Sequence, residues 1–364
     1  MCGVFGFAGT EHEVAATVGP ALQSLEYRGY DSWGVSWLVE REMETRKHTG
    51  RLVLDELPAI RASAAVGHTR WATHGGVTDA NAHPHLSQSG RFSVVHNGII
   101  ENAQQLKNLL LAGCRFQSAT DSEVVPHLIE REVSHGTPVR EAVELVFSLL
   151  EGHNAIVVMD AESGVIHAIS SGSPLLVAEG DVGAYVASDV IAFQDLATTM
   201  MPLPDLRLVR LSVDGVELLD AGTHTWRHPR MTPIVRRPTD KLGSFDHFTQ
   251  KEIAEQPDVI ERVLHDNAST ERLAAAIADS ATVILTGSGS AYFAARFGAA
   301  WITRHAGKPA LAIPASEFGE LSPFTTTDAL VLALTQSGET ADVIDAVQDG
   351  LRSGARVQAV VNVP

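Results

Sequence analysis

The sequence contains little cysteine and little positive charge. Two cysteines among 364 residues exclude a disulfide-stabilised scaffold and are typical of a reducing compartment, so we expect a cytoplasmic protein. Lysine and arginine total 27 against 44 acidic residues, which leaves a formal net charge of -17. Nucleic acid is therefore not expected as the main partner, although a local basic pocket for a small anion remains open.

Long apolar runs are missing as well. Stretches such as residues 281–285 and 329–334 are far too short to span a bilayer, and no secretory signal precedes the first folded-looking residues. We therefore expect no membrane partner. With 45% hydrophobic residues the chain is expected to be globular, and its length suggests about two domains with a remainder.

Residues 2–228 show many short strand patterns and a few helical ones, which indicates an α+β domain with antiparallel sheets. Examples of the predicted strands are residues 92–95, 156–159, 165–169, 175–177 and 206–211, and a hairpin turn is predicted at Asp214-Gly215. The predicted helices are residues 14–25, 103–111, 122–133 and 139–150.

Prolines and arginines then interrupt the pattern, and residues 229–268 are predicted to form a linker and an entry helix over 251–267. Beyond them, residues 269–364 alternate between strand and helix. The apolar strands are 283–285, 311–313, 330–334 and 357–361, and the helices are 291–306 and 340–353. Apolar strands separated by helices favour an α/β domain whose parallel sheet is covered on both faces.

One of the two cysteines is residue 2. Removal of Met1 would place a thiol and a free α-amine on one residue, and such an amine titrates at about 7.7–8.0, close enough to neutrality for a general base. Cys2 therefore combines a candidate nucleophile and its base, although a small buried apolar residue is the alternative. Cys114 is expected to fill a core position.

Three further segments carry candidate chemistry. Arg70 lies in a glycine-bounded stretch and could clamp a carboxylate in a bidentate manner. The Asn97 amide and the Gly98 backbone N–H form a suitable pair for a tetrahedral oxyanion, and Asp121 could hold an ammonium group. Taken singly, each has a plainer interpretation: a surface arginine, an Asn-Gly turn and a helix cap.

Taken together, these motifs resemble the class II glutamine amidotransferases with an N-terminal-nucleophile (Ntn) hydrolase sandwich, and in particular the glutamine:fructose-6-phosphate aminotransferase family. The matching segments are residues 2–6, 25–32, 68–75, 81–85, 96–102, 120–123 and 187–189. The resemblance implies that Cys2 is the nucleophile and that Asn97 and Gly98 form the oxyanion hole. It also implies that glutamine is bound by Arg70, Trp71, Thr73, His74 and Asp121. Trp71 looks like the family's gating tryptophan, with ordinary packing as the alternative.

Five histidines cluster in this part of the sequence, at positions 68, 74, 83, 85 and 96. Their spacing fits no standard zinc pattern, and no second cysteine is nearby, so no metal is expected. We attribute these histidines to loops around the glutamine pocket. No cofactor is expected either.

The second half resembles the sugar-phosphate isomerase (SIS) domain of the same family. Residues 286–292 and 335–340 each join a strand to a helix with small and hydroxylated side chains, as phosphate-binding turns do, although helix caps use the same residues. The resemblance implies phosphate contacts from Ser290, Gln336, Ser337 and Thr340. Three positions depart from the family pattern and make fructose 6-phosphate less certain as the acceptor, namely Ala291, Thr335 and Gly319.

The resemblance implies an enzyme that hydrolyses L-glutamine at Cys2 and delivers ammonia to a ketose phosphate, converting fructose 6-phosphate to glucosamine 6-phosphate. Family enzymes carry a second SIS domain that these 364 residues lack, and the first one looks cut after its fourth strand, which leaves a hydrophobic edge. Two alternatives stay open. The chain is a glutaminase subunit serving a partner synthase chain, or a phosphosugar-binding regulatory protein. A homodimer is compatible with each interpretation.

Overall fold

The computed structural model describes residues 2–72, 75–236, 244–245, 248–321, 325–336, 338 and 340–361. The chain divides into two compact units, Met1–Lys241 and Leu242–Pro364, and each is described by itself below. Across these described ranges, no helix combines the length and the apolar composition needed to cross a membrane.

The first unit is built mainly from strands. In chain order they are β1 (Gly3–Glu13), β2 (Ser32–Val39), β3 (Glu42–Thr49), β4 (Arg61–Arg70), β5 (His85–Leu86), β6 (Phe92–Gly98), β7 (Asn154–Asp160), β8 (Ile166–Ser171), β9 (Leu176–Gly180), β10 (Gly183–Ala187), β11 (Thr199–Pro202), β12 (Val209–Ser212), β13 (Gly215–Leu219), β14 (Trp226–Arg227) and β15 (Thr232–Pro233). The accompanying α-helices are α1 (Val14–Ser24), α2 (Ala103–Leu110), α3 (Val124–Ser134) and α4 (Val139–Leu149).

These strands form two antiparallel sheets. The first has the order β15-β11-β9-β10-β1-β4-β2-β3, and the second has the order β14-β13-β12-β8-β7-β6-β5. Each neighbouring pair of named strands in the two sheets runs antiparallel. The α+β architecture predicted for this half is therefore confirmed.

The two sheets pack face to face. Side chains alternate between the two faces of each strand, so the cores to which they belong identify the inner and outer faces. On β7, Val157 belongs to the core shared with β1 and β4, whereas its neighbours Ile156 and Val158 belong to the core under α3 and α4. On β1, Val4 enters the shared core and Phe5 packs on the side of α1. The first unit is therefore a sandwich of two sheets with helices on both outer faces.

Local predictions differ from the structure at three places. Helix α3 begins at Val124 rather than at residue 122, because Ser122 Oγ lies 2.8 Å from His96 Nδ1 and the Glu123 carboxylate accepts preceding backbone N–H groups. The strand predicted over 206–211 begins only at Val209, since Leu206 has a φ of 60°. The hairpin turn is one residue earlier than expected: Ser212 pairs with Gly215, which makes Val213 and Asp214 the turn.

The second unit contains a parallel sheet with the order β17-β16-β18-β19. Its elements are α5 (Phe248–His265), α6 (Asn267–Asp279), β16 (Thr282–Gly287), α7 (Ser290–Ala306), β17 (Ala310–Pro314), α8 (Phe318–Leu321), β18 (Ala329–Thr335), α9 (Ala341–Arg352) and β19 (Arg356–Val361). Separate apolar cores lie on its two faces, one with Ala295 and Ala299 of α7 and the other with Val343 and Ala346 of α9. The predicted parallel sheet, covered on both faces, is confirmed.

The helical entry to this unit is more extensive than the sequence indicated. The helix predicted over 251–267 is α5, and a second helix, α6, follows it directly. Asp266 starts α6 by accepting the Ser269 backbone N–H at 3.1 Å. At the other end of the unit, β19 is an edge strand on which Val360 and Val361 are 48% and 40% exposed, which is the apolar edge that was expected.

Candidate active site

Cys2 lies where β1 and β4 meet. It directly precedes β1, and Gly3 pairs with Thr69 near the end of β4. The Trp71 backbone N–H donates to Cys2 Sγ at 3.2 Å. Burial raises the pKa of the Cys2 thiol, while the Trp71 hydrogen bond and the Arg70 charge lower it in part. The thiol therefore needs a base before it can act as a nucleophile.

Asn97 and Gly98 approach the same point from the opposite sheet, at the end of β6. The Asn97 Nδ2 group donates to the backbone oxygen of Cys2 at 2.8 Å. Gly98 has a φ of 137°, and a Cβ there would lie 2.2 Å from the His153 carbonyl oxygen. Only glycine fits this position. The structure thus brings an amide donor and a glycine backbone beside Cys2.

Arg70 and Asp121 supply opposite charges. Arg70 ends β4, is 4% exposed and donates from Nη1 to the Gly76 oxygen at 3.2 Å. Burial lowers the pKa of Arg70, while the charges of Cys2, Asp121 and Asp31 act to raise it. Asp121 is not a cap of α3: its Oδ2 accepts the Ile100 N–H at 2.7 Å. A guanidinium near a carboxylate suits the two charged groups of a free amino acid.

Trp71 lies at the surface, next to Cys2 in space. It is 47% exposed, and its ring makes an edge contact with Tyr30 at a centroid distance of 5.7 Å. The following residue, Ala72, donates its N–H to Asp31 Oδ2 at 2.8 Å. This exposure does not fit ordinary core packing, the alternative raised for Trp71. Thr73 and His74, which were expected to bind glutamine, lie outside the described residues.

Four of the five clustered histidines form a buried group, which we call the histidine stack: His68, His83, His85 and His96. The ring centroids of His68 and His83 are 4.3 Å apart, and those of His83 and His85 are 4.5 Å apart. Burial lowers the pKa of all four, that of His68 to about 3. The expectation of loop positions is wrong for His68, His85 and His96, which lie on strands. Among the residues that the structure covers, no group of three or more His, Cys, Asp and Glu side chains could hold a metal ion.

In the second unit, three of the four predicted phosphate contacts lie at one edge of the parallel sheet. Ser290 starts α7 after β16, while Gln336 follows β18 and Thr340 directly precedes α9. Because β16 and β18 are parallel neighbours, their carboxyl ends meet at the same edge. Thr335 Oγ1 accepts the Gly338 N–H at 3.2 Å and so shapes the second turn. Ser337 lies outside the part of the chain that the structure describes.

Comparison with known proteins identifies a domain in each half of the chain. Residues 68–195 match the glutamine amidotransferase domain, and residues 276–364 match the SIS domain. The first unit therefore carries a glutamine amidotransferase domain, and the second carries a SIS domain. We call the two units the amidotransferase unit and the SIS unit.

Curated relatives align with the whole chain. It is 35% identical over 378 residues to a glutamine–fructose-6-phosphate aminotransferase (isomerizing) of Shouchella clausii, and 37% identical over 381 residues to that of Clostridium tetani. In both comparisons the alignment covers 100% of this chain and 62% of the relative. The chain thus spans less than two thirds of the length of these enzymes.

A solved structure supports the fold. The glutamine phosphoribosylpyrophosphate amidotransferase of B. subtilis, determined with ADP and GMP, matches with a TM-score of 0.54 and 21% identity. The match covers 100% of this chain and 82% of that one. Together with the antiparallel sheets, it confirms the Ntn-type sandwich of the amidotransferase unit.

Sequence reasoning missed a residue that organises the site of the amidotransferase unit. Asn81 Nδ2 donates to the Gly76 oxygen at 2.9 Å, and its Oδ1 accepts the Ala119 N–H at 2.8 Å. It therefore ties the loop after Arg70 to the loop before Asp121. In the sequence, Asn81 is marked only by its place in the matching segment 81–85, and that match does not indicate which residues Asn81 contacts.

Proposed function

We propose that the amidotransferase unit hydrolyses L-glutamine at Cys2. The observation that carries this proposal is the convergence of Cys2, Asn97 and Arg70 from two sheets with Asp121 from the loop before α3. Arg70 would hold the α-carboxylate of glutamine, and Asp121 its α-ammonium group. Thr73 and His74 belong to this proposal by resemblance, and Trp71 would close over the bound substrate.

The chemistry needs no metal or organic cofactor. Once Met1 is removed, the α-amine of Cys2 takes the thiol proton, and Sγ attacks the γ-carboxamide carbon to form a C–S bond. The Asn97 amide and the Gly98 N–H stabilise the oxyanion. Its collapse breaks the C–N bond, and ammonia leaves with the proton from the α-ammonium group. Water then hydrolyses the thioester to glutamate and regenerates the thiol.

Among the side chains that bind the substrate, Asn97 has the largest expected effect on this rate. One oxyanion-hole donor typically contributes about 3–4 kcal/mol to the transition state, or 10²–10³ in kcat. Arg70 and Asp121 contact only the unreacting end of the substrate, so their loss is expected to act on KM more than on kcat.

We further propose that the ammonia is used on a sugar phosphate at the SIS unit, with Ser290, Gln336, Ser337 and Thr340 as phosphate contacts. The relatives are named for fructose 6-phosphate, and we propose that ketose phosphate as acceptor, with glucosamine 6-phosphate as product. The second candidate is a glutaminase that supplies a partner synthase chain, and the product measurement below distinguishes the two.

The test is an assay with glutamine, with and without fructose 6-phosphate, in which glutamate and glucosamine 6-phosphate are measured separately. Cys2→Ala is expected to abolish glutamate release, whereas Cys114→Ala, at the other half-buried cysteine, should retain it. Intact mass should show loss of Met1 from active protein. Glutamate without amino sugar would favour the second candidate, and glutaminase activity in the Cys2→Ala protein would refute the proposed nucleophile.

A further inference from the structure

His68 reaches from β4 of one sheet to the end of β6 in the other. Its Nε2 lies 3.1 Å from Asn97 Oδ1 and 3.1 Å from the backbone oxygen of His96. A carbonyl oxygen and an amide oxygen both accept hydrogen bonds and cannot donate them. The proton of the neutral His68 ring must therefore sit on Nε2, where it is shared between these two acceptors.

This contact fixes which end of the Asn97 amide faces Cys2. With Oδ1 held by His68, Nδ2 points to the backbone oxygen of Cys2 at 2.8 Å. A flipped amide would place two oxygens together at Cys2 and two N–H groups together at His68. The observed orientation therefore satisfies both contacts. One Nδ2 hydrogen is donated to the backbone oxygen of Cys2, and the second is available for a substrate oxygen.

The His68 ring is itself held in place. Its exposed fraction is 1%, and it stacks on His83 with an interplanar angle of 16°. His83 Nδ1 in turn accepts the His96 backbone N–H at 3.2 Å, which fixes the second ring. The low pKa of His68, about 3, keeps the ring neutral at ordinary pH. Of its two nitrogens, only Nε2 has hydrogen-bond partners in the covered part of the chain.

We infer that His68 is a positioning residue, which acts through Asn97 by holding the carboxamide with its N–H groups towards Cys2 and the developing oxyanion. The inference rests on the proposed glutaminase activity, and it adds a residue that touches neither substrate nor nucleophile. It also gives the histidine stack a role, since the stack supports the His68 ring that reaches from β4 to Asn97.

A double-mutant cycle tests this role. His68→Leu removes the donor and should lower kcat for glutamine hydrolysis about 100-fold with little change in KM, as expected when a group that acts in the transition state is displaced. In the Asn97→Ala background, His68→Leu should change kcat by less than about twofold, because its target is gone. His68→Gln keeps an N–H donor and should restore most of the activity.

Two controls separate positioning from general damage. His167→Leu removes another buried imidazole, on β8, and should leave kcat unchanged. Iodoacetamide alkylates a thiol without forming an oxyanion, so its rate with Cys2 should be the same in His68→Leu as in wild type, measured in a Cys114→Ala background.

The outcomes are distinct. A coupled cycle with rescue by glutamine at position 68 supports the inference. Additive losses in the cycle, or equal losses in His68→Leu and His68→Gln, would overturn it while leaving the glutaminase assignment intact. A wild-type protein from which Met1 has been removed, and which still releases no glutamate, would overturn both.

Discussion

Acidification should weaken the amidotransferase unit through its buried histidines, and His68 allows the effect to be worked out. Its pKa falls from 6.5 to about 3 on folding, because burial disfavours the charged ring. Between these values the unfolded chain binds more protons than the folded one. Stability contributed by the neutral ring is therefore complete above about pH 6.5 and is lost as the pH falls towards 3.

The size of the effect follows from this pKa difference. At pH 4.5, two units below the unfolded value, the loss is roughly 2–3 kcal/mol for this one histidine, and nearly all of it falls between pH 7 and pH 4.5. The pKa values of His83, His85 and His96 shift in the same direction, so they add to the acid sensitivity of the unit.

The assay is urea unfolding of wild type and His68→Gln from pH 7 to 4.5, followed by tryptophan fluorescence. Trp33 and Trp37 are buried in the amidotransferase unit and report on it directly. The glutamine side chain does not titrate, so the free energy of unfolding of wild type should fall by roughly 2–3 kcal/mol more than that of the variant. Parallel pH profiles for the two proteins would refute the reasoning.

Three further predictions concern single residues. Gly98→Ala should lower the free energy of unfolding by at least about 2 kcal/mol, because the new Cβ clashes with the His153 carbonyl oxygen and φ is positive. Gly136→Ala is the control: its φ is 94°, no atom lies within 4 Å of the new Cβ, and it should lower the free energy of unfolding by about 1 kcal/mol. Equal urea midpoints for the two variants would contradict the clash. Asp121→Asn keeps an acceptor for the Ile100 N–H but loses the charge, so KM for glutamine should rise about 10- to 100-fold while the urea midpoint stays constant. An unchanged KM would show that Asp121 does not bind the substrate. Thr335→Val should weaken the affinity for fructose 6-phosphate, measured by calorimetry, about fivefold, because it removes the acceptor of the Gly338 N–H. Thr335→Ser keeps the hydroxyl and should not weaken it. Equal affinities for the two variants would show that this turn does not hold the phosphate.

The layers of the molecule were accessible from sequence because they depend on side-chain periodicity. Alternation on β7 separates Val157 from Ile156 and Val158, and continuous apolar strands such as Ala329–Thr335 indicate a parallel sheet. Helix α6 was missed because Asn267–Asp279 follows α5 with little interruption, and the break depends on the Asp266 cap. Boundaries of this kind are set by single hydrogen bonds.

The candidate site was only partly accessible for a different reason. Residue types and motifs indicate Cys2, Arg70, Asn97 and Asp121, but their convergence depends on the packing of two sheets that are distant in sequence. For this reason the expectation of loop positions failed for His68, His85 and His96. His68 and Asn97 are 29 residues apart and belong to different sheets, so no local pattern reveals their contact.

The division of the site between two sheets has a mechanical consequence. Cys2 is anchored to β1 in one sheet and Asn97 to β6 in the other, so the distance between them records how the sheets are aligned. A slide of one sheet over the other by about 1 Å would leave every strand intact and could still cost about 100-fold in rate. The rate of glutamine turnover would then report on the alignment of the two sheets. A substitution in the shared core, such as Val157→Ala, would lower this rate before it changed any spectroscopic measure of secondary structure.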